Sequence, residues 1–169
     1  MVRGDHRQGG RKHIILDTSI LLVWLQVPGY FSDEQRMQVR DKMKHFINED
    51  AVVYLSLAAA IETGNHIAHV PDGGRRRECA EKLVKLLEDA IEGRFHWRFL
   101  PLNTDDLKLK QVKQNFINLA QQGIGMGDAL IIESAHRLKD DLKTQGRGQD
   151  RVIIWTFDER MKSWSPDPV

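Results

Sequence analysis

The stretch IILDTSILLVWL, residues 14–25, decides the fold. An apolar run of this length reads as a buried strand, HIILD, passing into a short helix from Ser19. Asp17 interrupts it. A carboxylate flanked by Ile15, Leu16 and Ile20 is costly to desolvate, so its presence asks for a partner.

Outward from this stretch, strands and helices alternate. AVVYLS (51–56), FHWRFLPL (95–102) and VIIWTF (152–157) are short, rich in β-branched and aromatic residues, and read as further strands. Between them lie helical patterns. Ser32 predicts a helix start, with Glu34 and Gln35 behind it and Met37, Val39, Met43, Phe46 and Ile47 as its stripe. The next helix is expected to bury Leu57, Ala60, Ile61, Gly64, Ile67 and Ala68. A charged helix over about 75–91 turns Leu83, Leu86, Leu87, Ala90 and Ile91 inward. NTDDLKLKQVKQNFINLAQQ is a further helix, GIGMG (123–127) breaks it, and a helix restarts at Asp128. A short helix, ERMKSW, follows the last strand. Strands alternating with helices predict an α/β fold, a mainly parallel sheet covered on both faces. The expected organisation is a basic, Gly-rich arm over 1–12, a single domain over 13–165 and a tail over 166–169.

The chain has 169 residues, 41% hydrophobic and 29% charged, with a net charge of +1. That is ordinary globular composition, and nucleic-acid binding would have to rest on local clusters. The single cysteine, Cys79, forms no internal disulfide and reads as a half-buried helical thiol. No apolar leader is seen in MVRGDHRQGGRK, and the longest apolar run is too short to span a bilayer, so a cytoplasmic protein without membrane contact is expected.

In a parallel sheet the C-terminal strand ends share one edge, where open α/β folds bind ligands. Asp17 closes the first strand and Asp158 the last. Glu62 lies early in the helix leaving the second strand. Asp128 heads the stripe Ile131, Ile132, Ala135 and Leu138. Singly, Asp17, Asp128 and Asp158 read as helix caps and Glu62 as one half of an ion pair. Jointly, four carboxylates at one edge repel, and helix N-termini return only about 0.3 to 1 kcal/mol each. Hard oxygen ligands suit Mg²⁺ or Mn²⁺, one or two ions, the usual phosphoryl-transfer arrangement.

The residues ILDTSIL, IE at 61–62, GMGDALIIESA and IIWTFDERM follow one another in the order seen in a known family. The sequence resembles the PIN-domain ribonucleases, in particular the toxins of type II toxin–antitoxin pairs, the virulence-associated protein C group. The resemblance implies a PIN-like three-layer α/β/α sandwich and Mg²⁺- or Mn²⁺-dependent endoribonuclease activity. By position it implies Asp17, Glu62, Asp128 and Asp158 as catalytic and metal-binding acids, with Ser19 and Thr156 as supporting hydroxyls. RNA is then the substrate, and an antitoxin and a homodimer are expected partners. Arg75, Arg76, Arg77, Lys108 and Lys110 are candidates for the RNA backbone, with Arg94, Arg98, Lys113 and the arm's Arg3, Arg7, Arg11 and Lys12 behind them. Trp24 is either a base-stacking or a packing residue.

Met161 stands where the family's closing motif carries an aromatic, and the charged helix, the KTQGRGQD loop and the basic arm are additions. The alternatives are a catalytically idle PIN-like scaffold that binds RNA or protein, and a DNA nuclease with the same metal core. A phosphatase of the haloacid dehalogenase type would need a second Asp where Ser19 stands.

Overall fold

The computed structural model describes residues 10–101 and 106–168, with backbone alone for 106–111. In chain order the elements are β1 (Lys12–Leu16), α1 (Thr18–Trp24), α2 (Asp33–Asn48), β2 (Val52–Ser56), α3 (Leu57–Ala68), α4 (Gly73–Ile91), β3 (Trp97–Leu100), α5 (Asp106–Gln121), α6 (Met126–Thr144), β4 (Arg151–Trp155) and α7 (Glu159–Lys162). The strands form one parallel sheet in the order β3-β2-β1-β4. Successive strand residues point to opposite faces, yet Ile14, Ile15 and Leu16 are all fully buried. Helices therefore cover both faces. This is the three-layer α/β/α sandwich expected of the alternating pattern.

From β1 the chain moves to β2 and β3 on one side, and β4 returns to the other side of β1. The order of connection reverses between β1 and β4, the position beyond the C-terminal strand ends where open α/β sheets characteristically bind ligands. Leu16 pairs with Trp155, so Asp17 and Thr156, the next residues, come side by side. The Asp17 N–H donates to the Trp155 carbonyl at 3.1 Å. Trp155 is itself buried, packed edge-on against Phe46 of α2 at 5.2 Å between ring centroids.

Helix phases differ from expectation in places. Ser32 caps α2 reciprocally with Gln35, as anticipated, but Met37 and Ile47 are exposed and Val39, Met43 and Phe46 carry the packing. In α3 the buried face is Ala59, Ala60, Thr63 and Ile67, while Ile61 is 53% exposed and Ala68 is at the surface. Its start follows β2 directly, so the strand end sets the phase, and the helix packs against α1, α4 and α6. Ile91 is exposed at the end of α4, and Cys79 is fully rather than half buried. Three helices begin earlier than predicted: α1 at Thr18, α4 at Gly73, and α6 at Met126 rather than Asp128.

Thr63 is fully buried, and its hydroxyl has no hydrogen-bond partner among the described residues. A buried hydroxyl left unpaired carries its desolvation cost without return. Thr63→Val is therefore expected to stabilise the protein by about 1 kcal/mol. A urea titration showing equal or lower stability would refute that.

At the opposite edge of the sheet lies a polar network that the sequence patterns do not reveal. His13 and Asp150 are both buried. The His13 ring joins Asp150 Oδ2 at 3.1 Å and the Tyr54 hydroxyl at 3.0 Å. Arg147 and the Arg11 N–H donate to the same carboxylate at 2.7 and 2.9 Å. Burial lowers the His13 pKa, against the pull of Asp150. Burial alone would raise Asp150, but the donors around it leave it below its ordinary value.

A histidine lowered in the folded state contributes stability that is complete above its unfolded pKa. That stability is lost as pH falls through about 6.5, because only the unfolded chain takes up the proton easily. Urea midpoints are expected to fall from about pH 7.5 to about pH 5.5, and His13→Asn to flatten that slope. An unchanged slope in the variant would assign the sensitivity to other groups.

Among the described residues, no helix is long and apolar enough to cross a membrane.

Candidate active site

All four acids stand at the C-terminal edge of the sheet or on the helices that leave it. Asp17 is only 4% exposed and is the N-cap of α1. Its Oδ2 accepts from the Ser19 hydroxyl at 2.6 Å, the Thr156 hydroxyl at 2.7 Å and the Ser19 N–H at 3.3 Å. The two hydroxyls are themselves oriented by main-chain donors: Phe157 N–H to Ser19 and Asp158 N–H to Thr156. One carboxylate oxygen is thus saturated. No described residue donates to the other, Oδ1.

Glu62 projects from α3 one turn and a half after β2, half-buried, and its Oε2 accepts from the Thr18 hydroxyl at 3.1 Å. It lies against Gly127. A Cβ at that position would meet Glu62 Oε2 at 2.8 Å, so the absence of a side chain there is what lets the glutamate approach α6. Asp128 is the third residue of α6, not its cap, and reaches back to the Gly125 N–H at 3.3 Å.

Asp128 binds the four together electrostatically. Its pKa is raised, first by burial, then by the charge of Asp17, with Glu62 and Asp158 adding smaller contributions against the Gly125 hydrogen bond. Asp158 has the opposite shift. It caps α7, and the Arg160 guanidinium beside it, helped by the Arg160 N–H, holds its carboxyl below the ordinary range.

The capping roles of Asp17 and Asp158 and the convergence of all four acids are therefore both present. Each carboxylate is turned onto a local donor: Ser19 and Thr156, Thr18, Gly125, Arg160. Among the described residues, no three His, Cys, Asp or Glu side chains are gathered tightly enough to hold a metal ion as they stand. The donor set nevertheless fits Mg²⁺ or Mn²⁺ by chemistry. It consists of carboxylate oxygens, with one unclaimed on Asp17 and one half-desolvated acid whose charge is destabilised by its neighbours.

The predicted RNA contacts are mostly committed locally. Arg75 pairs with Glu78 at 3.1 Å, Arg77 with Glu81 at 2.8 Å, and Arg76 donates to the Val70 carbonyl. Arg94 pairs with Asp89 and Glu92, and Arg98 donates to the carbonyls of Gly93, Phe95 and Trp97. Arg11 and Lys12 bind Asp50 and Glu49 at the far end of β1, about 16 Å of strand from Asp17. Arg3 and Arg7 lie outside the described residues, and Lys108 and Lys110 lie where only backbone is described; Lys113 is exposed on α5. Trp24 is half-buried and tilted against Trp97 at 6.2 Å, a packing role.

No protein-family model and no curated protein matches the chain. Solved structures do. A complex of VapBC2 from Rickettsia felis bound to a DNA fragment from their promoter aligns at a TM-score of 0.58 and 9% identity, over 93% of this chain and 96% of that one. FitAcB from Neisseria gonorrhoeae aligns at 0.54 and 22% identity, over 92% and 95%. FitAB bound to an IR36 DNA fragment aligns at 0.52 and 21%, over 86% and 98%. At these identities the likeness is one of fold, and it extends over nearly the whole chain.

Proposed function

We propose that the chain is a PIN-like, Mg²⁺- or Mn²⁺-dependent endoribonuclease acting as the toxin of a toxin–antitoxin pair. The observation that carries this reading is the acid cluster at the β1/β4 crevice. Asp17 has one oxygen locked by two hydroxyls and one left open, and Asp128 is strained by three neighbouring negative charges. The likeness in fold to the VapBC2 and FitAB complexes supports the toxin–antitoxin role and an antitoxin as partner.

In this reading Asp17, Glu62 and Asp128 hold the cation, and Asp158, paired with Arg160, borders them. A bound divalent cation supplies an activated water and stabilises charge on the phosphate oxygens. Ser19 and Thr156 fix the Asp17 carboxylate through Oδ2, leaving Oδ1 without a donor among the described residues. Thr18 performs the same service for Glu62. The main-chain N–H of Gly125 holds Asp128 at the start of α6, where the helix dipole favours its charge.

The test is cleavage of a mixed single-stranded RNA by the purified chain in Mn²⁺ or Mg²⁺, beside single-stranded DNA, a chelator control and Asp128→Asn. RNA cleavage lost in both controls is expected. Cleavage that survives the chelator would overturn the metal reading, and cleavage confined to DNA would overturn the substrate.

Gly127→Ala gives a second check. Its Cβ would push the far end of Glu62 without meeting backbone, so the fold is retained. Displacing a ligand by a fraction of an ångström to an ångström is expected to lower cleavage by about ten- to a hundredfold. Stability is expected to change by less than about 0.5 kcal/mol. Full activity in this variant would exclude Glu62 from the site.

A further inference from the structure

Between α5 and α6 lies a cavity of about 330 Å³, at the small end of the range typical of small-ligand sites. Val112 and Leu119 of α5 and Ile132 of α6, all buried, make up its apolar lining. Asn115 and Asn118 join it from α5 and Glu133 from α6. None of these three side chains has a hydrogen-bond or ion-pair partner among the described residues, and Glu133 is half-buried. A seam between two helices is ordinarily apolar, and a half-desolvated carboxylate without a partner is costly to keep. Trp164, the aromatic of the lining, follows α7 and is held to α6 by its carbonyl, which accepts from the His136 ring at 3.1 Å.

The cavity adjoins the acid cluster. Its α6 side, Ala129, Ile132, Glu133 and His136, is one helical stripe that begins at the residue after Asp128. Glu133 stands about 7.5 Å along the helix axis from Asp128, a separation that a nucleotide spans between its phosphate and its base.

We propose that this cavity takes a guanine base of the RNA strand, next to the phosphodiester at the acid cluster, and that Glu133 selects it. This rests on the ribonuclease reading given above and names its base preference. A carboxylate repels phosphate, so the base rather than the backbone enters. Guanine alone among the four bases presents two adjacent donors on its Watson–Crick edge, N1–H and the N2 amino group, and one carboxylate accepts both. Adenine sets its N1 lone pair against the carboxylate, and cytosine and uracil each place an acceptor beside their one donor. The Asn115 and Asn118 amides supply donors for the guanine O6 and N7 acceptors. Trp164 supplies the aromatic surface on which an unstacked base is held.

The experiment measures the anisotropy of fluorescein-labelled RNA hexamers on the Asp17→Asn chain in Mg²⁺, which is expected to bind without cutting. The hexamers are uridine throughout except for one central guanosine, adenosine or inosine. The guanosine hexamer is expected to bind about ten- to a hundredfold tighter than the adenosine one, with inosine, which lacks the N2 amino group, in between. Adding Glu133→Gln, with folding checked by circular dichroism, is expected to remove the preference. Adding Asn118→Ala, at an exposed position, is expected to weaken guanosine binding about fivefold. Equal affinity for the guanosine and adenosine hexamers, no binding of any hexamer, or a preference that survives in folded Glu133→Gln would overturn the proposal. If Glu133→Gln does not fold, unchanged guanosine affinity in Asn118→Ala overturns it instead. Guanosine monophosphate competing at the hexamer's own affinity would assign the cavity to a free nucleotide and overturn RNA as the source of the base. A guanosine preference beside a wild-type chain that cleaves no RNA would overturn the ribonuclease reading and leave a guanine-binding cavity standing.

Discussion

Asp17→Asn is expected to abolish RNA cleavage while leaving the protein folded and at least as capped at α1. The asparagine carbonyl can accept from Ser19 and Thr156 as Asp17 Oδ2 does, and asparagine is as good an N-cap as aspartate. What changes is the open oxygen, Oδ1, which becomes an NH₂ group that no cation will accept as a ligand. A metal-supplied stabilisation of several kcal/mol corresponds to about a thousandfold or more in rate. Asp128→Asn should lose activity comparably, and for a reason of its own should also stabilise the metal-free protein. Neutralising Asp128 relieves the repulsion from Asp17, Glu62 and Asp158 that raises its pKa. Loss of cleavage together with a higher melting temperature is the signature expected of a ligand acid. Loss of both would assign Asp128 a purely structural part.

Thr156→Val is expected to cost about 2 to 3 kcal/mol of stability, the largest loss predicted for any residue of the site. Thr156 is 3% exposed, and its hydroxyl donates to a nearly buried carboxylate at 2.7 Å and accepts the Asp158 N–H at 2.9 Å. Valine keeps the β-branched shape that the strand end prefers but leaves the Asp17 side chain with one donor fewer and the Asp158 N–H without its acceptor. Ser19→Ala removes the companion donor, in a more open position, and should cost less. Urea unfolding of the two variants measures both. If Thr156→Val unfolds with wild-type stability, the hydroxyl pair does not support Asp17.

The layered fold was readable because its signals are local. Four short apolar runs separated by helical periods imply a covered parallel sheet, and a parallel sheet brings Asp17 and Asp158 to one edge whatever the details of packing. Glu62 and Asp128 could be placed there for the same reason. Pattern alone does not tell their roles apart: by sequence Asp128 reads as a helix start, whereas α6 begins two residues earlier and Asp128 reaches back to Gly125.

Sequence pattern does not set the phase of α3, because alanine and isoleucine are both apolar and only tertiary packing decides that Ala59 goes in and Ile61 stays out. The His13–Asp150 contact joins residues 137 positions apart, through a histidine hidden in a strand, and no spacing announces it. Arg160 is two residues from Asp158, but i to i+2 carries no general expectation of contact. Its further contact, with the Gly123 carbonyl, is to another part of the chain.

The most direct test of the central claim is an anomalous diffraction map from crystals soaked in Mn²⁺. A peak within coordination distance of Asp17 Oδ1, Glu62 and Asp128 is the predicted result. A soaked, well-ordered crystal with no peak at the β1/β4 crevice would contradict it, and the four acids would then be caps and hydrogen-bond acceptors of an otherwise metal-free fold.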